Sequence, residues 1–231
     1  MMNKSIKLLL LCSLMLFFIA SMAGYASSQV IFPHDVEISG GTAPQGSTPW
    51  VTATFIDVTG GVQLTMSTSN LVNSEFVTGW YFNFNPSLTL SDLSISLSSS
   101  DPGQASSSVS IRGTTETDSA FKADGDGYFD FRFDFQTANT PMSGRFMTGE
   151  KVVYDLTYSG AGSFSSSSFN FKSVPGGGSG QYESVAKVQG INGSDSTSGW
   201  VANTTVVPEP VSSTLFIIGG ITLGFRRFRN I

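Results

Sequence analysis

Apolar and polar residues alternate along most of this chain, and the alternation has a period of two. The clearest run is Tyr128-Phe129-Asp130-Phe131-Arg132-Phe133-Asp134-Phe135, which sets Phe129, Phe131, Phe133 and Phe135 on one side and Asp130, Arg132 and Asp134 on the other. Successive side chains leave a pleated backbone in opposite directions, so this pattern predicts a strand with one buried and one wet face. Val62, Leu64 and Met66 repeat it, as do Val152, Tyr154, Leu156 and Tyr158. Leu88 and Leu90 alternate, and Leu93, Ile95 and Leu97 resume one step out of phase. That slip predicts a bulge near Ser91-Asp92. Residues 52–56, 76–84, 109–111, 164–171 and 182–189 complete the predicted strands.

Between the two ends, no stretch of a dozen residues carries apolar side chains at helical spacing with helix-forming residues between them. Ser, Thr, Gly and Asn fill the gaps, and these residues favour turns and caps. Thr59-Gly60-Gly61, Asp101-Pro102-Gly103, Asp124-Gly125-Asp126-Gly127 and Pro175-Gly176-Gly177-Gly178 punctuate the strands. The expected fold class is all-β, a two-sheet antiparallel sandwich of jelly-roll type.

The ends read differently. Lys4 and Lys7 precede an apolar run from Leu8 to Ala20, and small residues follow at Ala23 and Ala26. This order is that of a secretory signal peptide, too short to span a bilayer comfortably. Cleavage after Ala23 or after Ala26 fits equally. The chain then divides into a signal peptide at 1–26, a β-sandwich at 27–190, a terminal strand and Gly/Ser/Thr-rich linker at 191–206, and a tail at 207–231. Cys12, the single cysteine, lies inside the signal, so an exported body would be held without disulfides.

Setting the ends aside sharpens the charge balance. Ser27–Val206 holds seven basic and sixteen acidic residues, a balance of −9. An acidic body without a basic run argues against nucleic acid and anionic polymers as direct ligands. Divalent cations and neutral glycans remain compatible with it.

Within that body, Asp124, Asp126 and Asp130 place three carboxylates on a Gly-rich turn, a hard oxygen set suited to calcium. The EF-hand pattern fails there, because Lys122 and Phe133 occupy its first and last ligand positions when Gly127 takes the glycine place. A hairpin turn is the competing explanation. Trp50 and Trp200 are candidates for stacking against a sugar ring, while Trp80, inside an apolar run, is expected in the core. His34, the sole histidine, sits beside Asp35 near the start of the body and reads as solvated. One imidazole and no Gly-x-Ser-x-Gly elbow leave a Ser-His-Asp enzyme without support. Glycoside hydrolysis needs two carboxylates, and no spacing picks out a pair.

The tail carries the most specific signal. Val207-Pro208-Glu209-Pro210 is followed by an apolar run from Val211 to Phe225 and then by Arg226, Arg227 and Arg229. Prolines keep the first part extended, the apolar part can enter a membrane as a short helix, and arginines hold its end on the cytoplasmic side. These parts, in this order, resemble a PEP-CTERM sorting domain. The resemblance implies export by signal peptidase and the general secretion machinery, transient inner-membrane insertion, and processing by an exosortase. Val207, Pro208, Glu209 and Pro210 would be the recognition residues. The body more loosely resembles PEP-CTERM proteins of unassigned activity, through Ala123–Asp130, Ser168–Phe171, Gly176–Gly180 and Gly199-Trp200.

The function expected from these readings is an exported surface or extracellular-matrix protein associated with exopolysaccharide. Its role would be structural or adhesive, without catalysis and without a required cofactor. A carbohydrate-binding module assisted by calcium is the alternative, and a secreted glycan hydrolase the second.

Overall fold

The period-two runs become strands, and nearly all of them find partners on both sides. The computed structural model describes residues 27–101, 107–111, 121–124, 126–138, 144–178, 180–204 and 207–208. The signal peptide, Glu209, Pro210 and the Arg226, Arg227 and Arg229 cluster lie outside the described residues. Ser28–Glu209 forms one compact unit. Its strands are β1 (Gln29–Glu37), β2 (Val51–Val58), β3 (Gly61–Ser67), β4 (Phe76–Phe82), β5 (Leu93–Asp101), β6 (Ser107–Ile111), β7 (Phe131–Phe135), β8 (Phe146–Met147), β9 (Lys151–Tyr158), β10 (Ser184–Gln189), β11 (Ser198–Asn203) and β12 (Val207–Pro208).

Ten of them form a single hydrogen-bonded path, β5-β9-β3-β2-β1-β11-β10-β4-β7-β6, with β12 beside β1 and β8 beside β4. Every pairing is antiparallel. The path curls on itself. Phe133 of β7 lies 4.5 Å from Tyr154 of β9 between ring centroids, although these strands stand near opposite ends of the path. Phe55 of β2 and Phe82 of β4 meet edge to face at 5.3 Å. The Tyr154 hydroxyl also bonds Ser107 Oγ, which ties the last strand of the path to its second. The described residues are all-β, one large antiparallel sheet curled nearly into a barrel. No helix of the described residues is long and apolar enough to cross a membrane.

Inside the curl lies the main core, with Phe32, Phe55, Trp80, Phe82, Phe131, Phe133, Phe146 and Phe169 fully buried. Each such ring removes roughly 150–250 Å² from water, so these residues dominate the stabilisation. A second, smaller cluster covers the outer face, made of Tyr81, Phe121, Ala123, Phe129, Val185 and Ala202. Strands β4, β10 and β11 are therefore buried on both faces, which explains why Phe76–Phe82 reads as a near-continuous apolar run.

Several expectations change. Phe129 does not share a face with Phe131, Phe133 and Phe135; it packs in the outer cluster. The strand starts only at Phe131, because Tyr128 bridges to Lys122 and Val174 and bends the chain beforehand. Leu90–Asp92 is a 3-10 turn rather than a bulge, and the register shift falls later, between Leu97 and Ser99. Residues 164–171 hold a 3-10 turn at Ser166–Phe169 instead of a strand. Serine side chains compete there with a ladder: Ser168 Oγ accepts the Ser165 N–H at 3.2 Å, and Asp57 accepts the Ser166 N–H. Phe169 is thereby pushed inward to stack on Phe55 at 4.3 Å.

The short strand expected around Trp200 and Val201 is there, but as β11 it sits mid-sheet between β1 and β10. β1 itself was hidden by its proline. Pro33 lacks an N–H, and it lies where β1 changes partners, between the β12 pairs at Val30 and Ile31 and the β11 pairs from His34 onward.

Candidate functional site

Two groups of side chains stand out, one on the outer face and one inside. On the outer face, Lys187 of β10 and Trp200 of β11 are directly opposite each other. The Lys187 Nζ sits 5.4 Å from the Trp200 ring centroid. Tyr81 of β4 flanks the same indole at 5.4 Å. Trp200 is half-buried against the outer cluster.

Carboxylates rim this aromatic pair. Glu37, at the end of β1, accepts the Ser39 N–H at 2.9 Å and the Gly41 N–H at 3.3 Å, and also bonds the Ser39 hydroxyl. Partial burial works against its charge, but these donors outweigh it and hold the Glu37 carboxyl below its ordinary range. Asp124 is pushed up, first by desolvation, then by the negative charges of Asp126 and Glu37, with Lys187 opposing. Asp124, Glu37, Lys187 and Trp200 thus lie within electrostatic or direct contact of one another, although the sequence separates them widely.

The three aspartates of the turn do not converge. Asp126 is buried and its Oδ1 accepts the Gly180 N–H at 3.3 Å. Asp130 turns away, and its Oδ2 accepts the Phe84 N–H at 2.6 Å, securing the chain just after β4. Asp124 takes a positive φ of 43°, a conformation its short polar side chain tolerates. Among the described residues no three His, Cys, Asp or Glu side chains are placed to hold a metal. The expected calcium set of Asp124, Asp126 and Asp130 is therefore divided between two jobs of chain fixation and one exposed carboxylate.

The tryptophans separate as well. Trp80 is fully buried, as expected. Trp50 is 8% exposed, joins the main core, and donates its Nε1–H to the Gly46 carbonyl at 2.8 Å. It offers no ring face to a sugar. Trp200 alone keeps that ability.

Inside the curl, His34 corrects the expectation of a solvated imidazole. It is fully buried in β1, opposite Asn203 of β11. Its Nδ1 lies 3.1 Å from the Phe32 carbonyl, which only accepts, so Nδ1 carries the proton. Nε2 is then an acceptor, and the Ser184 hydroxyl donates to it at 3.0 Å. The same Ser184 oxygen accepts the Trp80 Nε1–H at 3.0 Å. Asn203 accepts the Ser184 N–H at 3.0 Å and donates to Glu183 at 2.9 Å. Desolvation, partly offset by the Phe32 bond and the Asp35 charge, lowers the His34 pKa to about 3. The ring is neutral at any ordinary pH.

A serine hydroxyl on a histidine resembles a nucleophile with its base, but both residues have 0% exposure. No substrate reaches them, and the arrangement acts as a cross-strand tie. Sequence reasoning missed it because Pro33 masked the alternation Val30, Phe32, His34, which ends at the register shift before Val36.

No family model, no curated protein and no solved structure matches this chain.

Proposed function

We propose that this chain is an exported, exosortase-processed surface or extracellular-matrix protein associated with exopolysaccharide, with a structural or adhesive role. The observation that carries this reading is the ordered tail of Val207-Pro208-Glu209-Pro210, apolar run and arginines, joined to an acidic body whose sole cysteine lies in the leader. Val207 and Pro208 pair with Ile31 and Val30, so the motif starts where the sheet ends, with no long spacer. Its partners are then signal peptidase, the secretion machinery and an exosortase. The same reading takes the curled sheet as a jelly-roll-like sandwich, β5-β9-β3-β2 facing β10-β4-β7-β6, with β1 and β11 turning the corner. The Phe133–Tyr154 and Phe55–Phe82 contacts support two such layers.

Processing tests it. Glu209→Ala should leave the precursor uncut in the membrane fraction, seen as a larger band on blotting. Cleavage at the wild-type rate would remove the sorting assignment.

A second reading, glycan binding, rests on the half-buried Trp200 with Lys187, Tyr81, Glu37 and Asp124 around it. An indole and hydrogen-bonding carboxylates suit a neutral polysaccharide, which needs no basic surface. Trp200→Ala should weaken retention on a polysaccharide column at least several-fold, and Trp50→Phe should not. Calcium assistance through Asp124 is tested in the same assay by adding a chelator, and unchanged retention would remove it.

A further inference from the structure

We propose that β5 is a self-association edge, through which two copies of this chain pair antiparallel along Leu93–Leu97 and join their sheets. β5 ends the hydrogen-bonded path; it pairs with β9 on one side, and no described strand takes the other. Exposed edges are ordinarily blunted by charge, proline or brevity, because their free N–H and C=O groups invite another strand. Over Leu93–Leu97 β5 carries no charge and no proline; its bulge falls beyond, between Leu97 and Ser99, and its one charge is at the end, Asp101. Of its outward groups, the Leu93 N–H already bonds the Leu90 carbonyl. The strand is nine residues long, and Leu93–Ser100 contains neither a charged residue nor a proline.

Its apolar content is also out of place. Leu97 is 55% exposed, the most exposed large hydrophobic residue among those described, ahead of Val58 at 43% and Ile111 at 37%. Ile95 is only partly buried against the core.

The sequence of β5 names its occupant. A two-fold contact is self-complementary, so residue i faces j while j faces i. Leu93-Ser94-Ile95-Ser96-Leu97 reads the same in both directions. Antiparallel pairing about Ile95 therefore puts leucine beside leucine, serine beside serine and isoleucine beside isoleucine. Leu97 then lies beside the backbone at Leu93 of the second copy, and Ser94 meets Ser96 in a hydroxyl pair. β6, at the other end of the path, lacks this property, since the same operation about Val109 sets Ser107 against Ile111.

Charge points the same way. Two bodies of −9 repel, and contact requires an uncharged strip on each. The pairing also sets Asp92 opposite Ser98 of the second copy rather than opposite its own twin. A contact of five residues per chain falls well short of the ~1,200 Å² of a lasting complex, so the association is weak and appears only when the chain is concentrated.

Cysteine pairing tests the register, using full-length chain with Cys12→Ser so that no native thiol interferes. Residues directly opposite have Cα atoms about 4.5–5.5 Å apart, within disulfide range. Ser94 and Ser96 are both exposed, so replacing either leaves the fold intact. Mixing Ser94→Cys with differently tagged Ser96→Cys should give a disulfide-linked heterodimer at least tenfold faster than either variant gives homodimer. Adding Leu97→Lys to both should suppress it, and mixing with Val58→Cys should give no comparable product. Homodimers as abundant as the heterodimer, or no cross-link in any mixture together with sedimentation as a monomer up to millimolar concentration, would overturn the proposal.

Discussion

Serine is the residue this protein uses at its most buried point and along its most open edge, and the two regions respond to opposite physics. At the centre, Ser184 stands between His34 and Trp80 with every hydrogen-bonding group of the trio matched and no exposed surface. At the edge, Ser94 and Ser96 of β5, both exposed, alternate with Leu93, Ile95 and Leu97. In the first place the hydroxyl satisfies groups that cannot reach solvent. In the second it keeps a strand wet. A buried unmatched polar group costs roughly 1–3 kcal/mol, whereas an exposed hydroxyl contributes almost nothing net.

Four experiments measure that contrast. The largest loss is expected for Trp80→Ala, which empties the core where Phe82 stacks on the indole and Phe146 packs tilted beside it, and also frees Ser184. About 3–5 kcal/mol should be lost in denaturant unfolding. Ser184→Ala keeps the volume nearly constant but strands the Trp80 N–H and the His34 nitrogen. It should cost roughly 2–4 kcal/mol, and a loss below about 0.5 would show that the trio is not a tie.

The third concerns pH. His34 has a folded pKa of about 3, against an ordinary 6.5, so the unfolded chain takes up its proton first. The stability it protects is complete above pH 6.5 and drains away as pH falls toward 3, by about 1.4 kcal/mol per unit at the steepest. Glu37 and Asp155 are also held low, so acid weakens the fold through them too. The His34 share is therefore the difference between wild type and His34→Gln, followed by thermal melting from pH 7 to pH 4. Parallel curves would deny that the imidazole is buried and neutral. The smallest effect falls at the edge: Ser94→Ala should change stability by no more than about 0.5 kcal/mol.

The sequence carried the strands far better than it carried the ties. Period two at Val62–Met66 and Val152–Tyr158 survives intact as β3 and β9, because each has one face on the core and partners on both edges. It misled at Phe129, where a bend moves one member of the series to the opposite face. The run at 164–171 failed for a local reason, serines bonding their own backbone. For the candidate site, only Trp200 and the aspartate turn were visible. Their neighbours Lys187 and Glu37 come from strands brought alongside by long-range pairing, and no local pattern records that. Arg145 shows the same limit. Its guanidinium lies 3.9 Å over the Phe76 ring, donates to the Thr137 and Ala138 carbonyls and grips Asp195, joining segments distant in the chain.

The place of β11 between β1 and β10 has a consequence for the order in which this protein can be made. β1 emerges early in synthesis, yet the neighbour that completes its second edge comes from residues 198–208, near the end of the body. Until those residues appear, the centre of the sheet has a gap one strand wide. Contacts of such long sequence separation make folding slow. The growing chain therefore stays open until its final strand arrives, and only then does the sheet lock.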